Sequence, residues 1–136
     1  MLFRSDALDV FLDAGARRPS PMSQHLLLPW GGALARVDAD STPLNQRAAR
    51  WVSHPFATWL DESEDAANIG WVRDYRRANA PFTTGGVYLN FIGDEGDERI
   101  RAAFGDKYER LVAIKSEYDP DNVFAGNQNI RPRATV

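Results

Sequence analysis

The sequence contains no cysteine, which excludes a disulfide framework, a thiolate nucleophile and a zinc site with cysteine ligands. It also has no large excess of charge of one sign, because 16 basic and 19 acidic side chains give a formal net charge of -3. Domains that bind nucleic acid usually carry a strong positive charge, so we expect no nucleic-acid partner. The longest uncharged apolar run, 26–34, contains Pro29 and two glycines and is far shorter than the roughly 20 residues of a membrane span. We therefore expect no membrane partner either.

Common catalytic and cofactor-binding motifs are also missing. The sequence has no G-x-G-x-x-G dinucleotide fingerprint, no Walker loop, no G-x-S-x-G nucleophile elbow and no H-E-x-x-H zinc motif. Its two histidines, His25 and His54, lie far apart and without metal-ligand spacing. The acidic clusters 61–65 and 94–98 lack the spacing of a calcium-binding loop, and helix N-termini favour such negative charge. We therefore predict no metal site.

The composition is that of a folded domain. Of 136 residues, 43% are hydrophobic and 26% are charged, which is typical of globular proteins. This length predicts one domain over 1–136. The first apolar stretch carries Arg4, Asp6 and Asp9, which is not typical of a signal peptide, and we expect a cytoplasmic location.

Hydrophobic spacing and chain-breaking residues predict both helices and strands. Apolar residues at helical spacing predict helices over 5–15, from the acidic run 61–65 to Pro81, and along the stripe 104–115. Extended segments are predicted over 22–28, 33–37, 46–59 and 87–91. The first two of these would form a strand-turn-strand unit through Gly31 and Gly32. The pattern predicts an α+β fold, with an antiparallel sheet backed by helices and a C-terminal helical segment.

Tyr88 is the residue with the clearest chemical potential. Glycines at positions 85 and 86 precede it, and glycine lets a backbone approach a ligand closely. A tyrosine can act as a general base if its pKa falls from about 10, and the Asn90 amide can both donate and accept hydrogen bonds. From spacing alone, a core tyrosine is the favoured interpretation. His54 is either a proton acceptor near neutral pH or a structural histidine on an apolar strand.

Several short motifs occur in a specific order along the chain. They are Gly31-Gly32-Ala33 with Arg36-Val37, Trp71-Val72-Arg73, Gly85-Gly86-Val87-Tyr88-Leu89-Asn90-Phe91, Phe104-Gly105, Tyr108-Glu109-Arg110-Leu111-Val112, Tyr118-Asp119-Pro120-Asp121-Asn122 with Phe124, and Asn127-Gln128-Asn129-Ile130. With these motifs, the chain from Pro19 to Ile130 resembles the C-terminal, substrate-side part of the berberine bridge enzyme-like FAD-linked oxidases of the vanillyl-alcohol oxidase superfamily.

The resemblance implies roles for individual residues. In the family's Tyr-x-Asn motif the tyrosine lies at the substrate and the asparagine at the flavin, which implies these roles for Tyr88 and Asn90. The aromatic residue that ends the family's substrate-side strand corresponds to Trp59, and its catalytic acidic or amide side chain falls near His54. The closing segment implies flavin contacts for two further residues, Gln128 and Asn129.

The family's FAD-binding domain has no counterpart in this sequence. The resemblance therefore implies a module that acts on a small-molecule substrate and uses FAD only together with a separate FAD-binding domain or subunit, and that is inactive alone. The alternative is a non-enzymatic remnant, a binding domain that self-associates as a homo-oligomer to cover the apolar face left by the missing half.

Overall fold

The computed structural model describes residues 5–93, 96–126 and 128–134, and its fold is α+β as predicted. The helices of this described part are α1 (Ser5–Ala16), α2 (Ala33–Arg36), α3 (Asp65–Asn79), α4 (Asp97–Phe104) and α5 (Tyr108–Tyr118). The strands are β1 (Gln24–Pro29) and β2 (Trp51–Phe56), which form an antiparallel sheet. None of the helices in these ranges is long and apolar enough to cross a membrane.

The chain forms two compact units, each made of two separate stretches. Unit 1 comprises Met1–Gly31 and Ala49–Thr84, and unit 2 comprises Gly32–Ala48 and Gly85–Val136. No shift in composition along the sequence indicates these boundaries, because both units mix apolar and charged residues in similar proportions. The single domain over 1–136 stays a prediction.

Unit 1 consists of the sheet with α1 and α3 packed against it. In the register of the strands, Leu26 lies opposite His54. The core is aromatic: Trp71 and Tyr75 of α3 are buried, and the indole N–H of Trp71 donates to the backbone oxygen of Ala14 in α1 at 2.8 Å. This hydrogen bond joins α1 and α3, which also pack against each other.

The start of α3 matches the helix predicted after the acidic run. Asp61 caps a single turn of 3-10 helix, Glu62–Glu64, by accepting the backbone N–H of Ser63 at 2.8 Å. The same hydrogen bond lowers the pKa of the Asp61 carboxyl. Acidic side chains in this first turn interact favourably with the helix dipole.

Unit 2 contains α4 and α5, and its core has two clusters. The helix predicted along 104–115 corresponds to α5, whereas α4 was not predicted. One cluster consists of Val87, Ile92 and Ala103, and the other of Ile100, Tyr108 and Val112. The segment 33–48 has little regular structure, and Lys107 fixes it: its ammonium group donates to the backbone oxygens of Ala39, of Thr42 at 3.1 Å and of Leu44 at 3.2 Å. The three hydrogen bonds from the charged Lys107 group hold this segment in place, as the hydrogen bonds between paired strands would hold a strand.

The strand predicted over 33–37 is wrong. Ala33–Arg36 forms one helical turn, and the partner of β1 is β2, so the strand-turn-strand unit is also wrong. Alanine, leucine and arginine favour helix over strand. In addition, the guanidinium group of the buried Arg47 donates to the backbone oxygen of Leu34 at 2.9 Å. That oxygen is therefore satisfied without a strand partner.

The extended segment predicted over 87–91 is correct only at its start. The backbone of Tyr88 is extended, with φ -94° and ψ 118°, but Leu89–Phe91 form a turn of 3-10 helix. The N–H of Phe91 donates to the backbone oxygen of Tyr88 at 2.9 Å, which closes this turn. The aromatic and β-branched residues of this segment suggest a strand. In the described part of the chain, however, the sheet has two strands, β1 and β2, and 87–91 is not one of them.

Candidate functional site

The loop from Val87 to Ile92 carries the first predicted site residues, and unit 2 anchors it at both ends. Val87 and Ile92 are both buried in one core cluster with Ala103. Because its two ends are fixed and its centre is a hydrogen-bonded turn, this loop holds the residues between them in a defined orientation. A site built on such a segment needs little reorganisation when a ligand binds.

Within this loop, Tyr88 and Asn90 are in direct contact. The side-chain amide of Asn90 donates to the hydroxyl oxygen of Tyr88 at 3.0 Å, and the ring of Phe91 lies edge-on to the Tyr88 ring at 4.9 Å. Tyr88 is half-buried and Asn90 is exposed, so neither belongs to the core clusters. An N–H group directed at a phenol oxygen stabilises negative charge that develops there when the proton leaves. The pair is therefore suited to proton transfer.

The backbone before Tyr88 is in close contact with a side chain that the sequence did not single out. A Cβ atom at Gly86 would lie 2.2 Å from the side-chain amide carbon of Gln46, so only glycine fits without displacing that amide. At Gly86 the close neighbour is thus Gln46 of the same unit, and the approach of a ligand to these glycines stays a prediction. A glycine in a sequence signals that something comes close, but it does not identify the neighbour.

The closing segment lies against the same loop. The side-chain amide of Gln128 donates to the backbone oxygen of Ile92 at 3.0 Å, and both Gln128 and Asn129 are half-buried. Unit 2 thereby brings Gln128 to the end of the loop that carries Tyr88 and Asn90. Asn127 of the closing motif, and Asp94 and Glu95 of the second acidic cluster, lie outside the described residues.

The other predicted site residues, His54 and Trp59, belong to unit 1. His54 lies on β2, where it is half-buried, and burial lowers its pKa, so its imidazole is neutral at pH 7. The indole N–H of Trp59, three residues after the end of β2, donates to the Asp65 carboxylate at 2.6 Å. In residues 5–93, 96–126 and 128–134, no group of three or more His, Cys, Asp or Glu side chains is arranged to hold a metal ion.

His25 is an unexpected feature of unit 1. Its ring lies among three aromatic rings, with centroids 4.1 Å from Phe11, 4.3 Å from Tyr75 and 5.8 Å from Trp71. Both ring nitrogens are buried, and neither makes a hydrogen bond of good geometry; a weaker interaction with the Phe11 backbone partly offsets the effect of burial. Burial, reinforced by the positive charge of Arg18, lowers the pKa of His25 to about 4. The sequence shows only a histidine in an apolar run, because the aromatic neighbours come from two other elements.

This environment predicts a pH-dependent stability. The folded-state pKa of His25 lies below the ordinary value of 6.5, so the unfolded chain binds the proton more tightly. The free energy of unfolding should therefore fall as the pH drops from 6.5 toward 4, by roughly 1–2 kcal/mol after allowance for partial exposure. Urea unfolding at a series of pH values measures this change. In His25→Phe, which keeps an aromatic ring, the change should shrink; an unaltered profile would contradict the assignment to His25.

Comparison with known proteins gives consistent matches. Residues 87–131 match the family model described as berberine and berberine like, a region that contains Tyr88, Asn90, Gln128 and Asn129. The chain is similar to the FAD-linked oxidoreductase YvdP of Bacillus subtilis, with 34% identity over 104 residues that cover 76% of this chain and 23% of YvdP. It is also similar to the aclacinomycin-N/aclacinomycin-A oxidase of Streptomyces galilaeus, with 32% identity over 129 residues, 78% of this chain and 23% of that protein.

The fold also occurs in a solved structure. Wild-type BBE-like 1 of Physcomitrella patens superposes with a TM-score of 0.81 over 96% of this chain and 28% of that protein, at 18% identity. At this identity the likeness concerns the fold alone. The chain spans about a quarter of the length of the curated relatives it matches.

Proposed function

Because the chain belongs, through residues 87–131, to the berberine bridge enzyme-like family of FAD-linked oxidoreductases, we propose that it is the substrate-side and C-terminal module of an FAD-dependent oxidase. It acts only together with a flavin-binding domain or subunit. The observation that carries this proposal is the hydrogen bond between Asn90 and the Tyr88 hydroxyl on a loop anchored at both ends.

The residues of unit 2 fit one part of FAD. Asn90 is exposed, and its amide keeps a carbonyl oxygen and a second N–H in addition to the N–H given to Tyr88. Such amides suit the polar edge of an isoalloxazine ring, where Asn90 and Asn129 would make contact. Gln128 already donates to Ile92 and would hold the closing segment in place. The pyrophosphate and adenine of FAD need a cradle of backbone N–H groups, and in this proposal the flavin-binding part supplies that cradle.

In this proposal Tyr88 is the base. Bound FAD would supply the hydride acceptor for the substrate carbon that is oxidised. As a phenolate, the Tyr88 oxygen would take the proton of the substrate hydroxyl and become a neutral phenol, and the N–H of Asn90 would orient that oxygen and stabilise its charge before the transfer. His54 stays a second candidate for proton transfer, on the resemblance alone, because burial lowers the pKa of its imidazole and makes it a weaker base. Trp59 would contribute an aromatic surface on the substrate side.

FAD uptake tests this proposal. We define the YvdP probe as the three quarters of YvdP that this chain does not match, produced separately with FAD bound. The purified chain is mixed with FAD in one experiment and with the YvdP probe in another. We expect no stoichiometric FAD binding by the chain alone, and a stable FAD-containing complex with the probe. The matching quarter of YvdP, mixed with the same probe, is the positive control.

Two results would count against the proposal. If the chain alone binds FAD stoichiometrically and oxidises an alcohol, the dependence on a second part is wrong. If the YvdP quarter binds the probe and this chain does not, the non-enzymatic interaction domain becomes the better function. That second candidate function is favoured by the apolar side chains that unit 2 leaves exposed, such as Val123, which is 73% exposed. The cytoplasmic location stays a prediction.

A further inference from the structure

Two glycines lead into the loop that carries Tyr88 and Asn90, and they have no side chains with which to fix its direction. Gly85 has a φ of 73°, in the left-handed region, and both glycines are exposed. Glycine has more backbone freedom than any other residue, so a chain that passes through two of them needs an outside contact to keep one direction. The buried side chain of Val87 fixes a point on the loop, but it does not fix the path by which the chain reaches that point.

The side-chain amide of Gln46 supplies such a contact. A Cβ atom built on Gly86 would overlap the carbon, the oxygen and the nitrogen of this amide, so the whole amide group lies against the Gly86 backbone. The φ of Gly86 is outside the left-handed region, and its backbone would therefore accept alanine. The Gln46 amide, rather than backbone strain, is what excludes a side chain at this position.

Gln46 is itself held by charged groups on both sides. The ammonium group of Lys107 donates to the backbone oxygen of Leu44, two residues before Gln46, at 3.2 Å. The buried guanidinium group of Arg47, the next residue, donates to a backbone oxygen 13 positions earlier at 2.9 Å. Hydrogen bonds from charged donors are stronger than those between neutral groups. The Gln46 amide therefore projects from a segment that is fixed before and after it.

The other end of the loop has the same construction. Ile92 is buried, and the side-chain amide of Gln128 donates to its backbone oxygen at 3.0 Å. Each end is thus held by one buried aliphatic side chain and by one side-chain amide from a distant segment, Gln46 at the start and Gln128 at the finish. Two supports at each end define the orientation of the turn between them, on which the Asn90 N–H is directed at the Tyr88 hydroxyl.

We propose that Gln46 is a positioning residue for the proton-transfer pair Tyr88 and Asn90, an inference that rests on the proposed function. Gln46 takes no part in the chemistry itself. By contacting Gly86 it fixes the path of the chain into the loop, and through that path the hydrogen bond between the pair. Catalytic groups must be held to within about 0.5 Å of their productive geometry, so a residue that acts only on their orientation still changes the rate.

Nuclear magnetic resonance of the full chain tests whether Gln46 holds the pair. In the wild type, the Asn90 side-chain amide protons should show a nuclear Overhauser contact with the Tyr88 ring, because the two groups are hydrogen-bonded. Gln46→Ala should lose this contact, because the start of the loop is no longer held. The matched control is Asn45→Ala, which should keep it: Asn45 is the neighbouring amide and is also half-buried, but it lies against Gly105.

A second set of variants changes the same contact from the backbone side. Gly86→Ala places a methyl group where the Gln46 amide lies, so it should also weaken the contact between Asn90 and Tyr88. In the double variant the amide is gone and the methyl group has room, so the loss should be no greater than in Gln46→Ala alone. Gly93→Ala is the control, because a Cβ atom there has no neighbour within 4 Å in the described part of the chain. Circular dichroism verifies that all variants are folded.

The rate of flavin reduction tests whether this positioning serves the reaction. The chain is combined with the YvdP probe, and the substrate is the alcohol that reduces complete YvdP fastest in a screen. Gln46→Ala should slow flavin reduction by roughly 10- to 100-fold, because displacement of catalytic groups by about 1 Å has an effect of this order. Asn45→Ala should react at the wild-type rate.

The outcomes distinguish this inference from the proposed function. A lost contact and slower reduction in Gln46→Ala, with both unchanged in Asn45→Ala, support the positioning role. An unchanged contact or an unchanged rate in Gln46→Ala overturns that role while the proposed function stands. Equal losses in Asn45→Ala, or losses that add in the double variant, also overturn it, because Gln46 would then contribute only general packing. If the YvdP quarter supports reduction and the wild-type chain does not, the proposed function is wrong, whatever the contact shows.

Discussion

Replacing Tyr88 by phenylalanine should slow the chemical step of the complete oxidase by on the order of 10²- to 10⁴-fold, the usual contribution of a general base. The substitution removes only the hydroxyl oxygen that accepts the Asn90 amide. The ring remains, and so does its edge-on contact with Phe91 at 4.9 Å. Tyr88→Phe should therefore change the thermal stability of the isolated chain by little. Single-turnover measurement of flavin reduction in the complex with the flavin-binding part tests this expectation.

The matched variant is Asn90→Ala, which leaves the Tyr88 hydroxyl in place but removes the N–H directed at it. We expect a smaller loss of rate than in Tyr88→Phe, because the hydroxyl stays and only the donor directed at it is lost. A near-normal rate and an unchanged pH profile in Tyr88→Phe would remove Tyr88 from the mechanism. A loss of several degrees in melting temperature would assign it a packing role.

Truncation of Trp71 to alanine should destabilise unit 1 by about 3–5 kcal/mol, the range observed when a buried tryptophan is removed. It is 8% exposed, its ring lies edge-on to His25, and its indole N–H donates to the backbone oxygen of Ala14. The variant loses the apolar contacts and also leaves that oxygen without its donor. Urea unfolding followed by circular dichroism measures the difference.

Two controls separate these contributions. Trp71→Phe keeps an aromatic ring and removes the N–H, so it should lose about 1–2 kcal/mol. Trp51→Ala removes a tryptophan from β2 that is 45% exposed, and its effect should be much smaller than that of Trp71→Ala. Equal losses for Trp51→Ala and Trp71→Ala would contradict the central position of Trp71 in unit 1.

Three of the described helices, α1, α3 and α5, were predictable because their signals are local, whereas α2 and α4 were not predicted. Apolar residues at helical spacing mark all three, and Gly15, Pro81 and Asp119-Pro120 mark where they end. The strand predicted over 33–37 is wrong because the interaction that decides its structure is not local. Arg47, which satisfies the Leu34 carbonyl, lies 13 positions away, and no local pattern reports that bond.

The site shows the same division between local and distant information. The contact between Tyr88 and Asn90 forms across the 3-10 turn of 89–91, whereas the sequence predicts an extended segment there. Gln46 against Gly86 and His25 among its aromatic neighbours were not anticipated. Both depend on residues from distant segments, which only the folded chain brings together.

The interleaving of the two units determines how the protein can be divided. The chain passes from unit 1 into 32–48, back into unit 1, and finally into the rest of unit 2, so no single cut releases either unit complete. A truncation after Thr84 would leave 32–48 as an insertion inside unit 1, without the Lys107 ammonium group that fixes its carbonyl groups. During synthesis, segment 32–48 is likewise made well before Lys107, so it lacks that donor until Lys107 follows. Exchange of unit 2 between relatives must therefore transfer both of its stretches together.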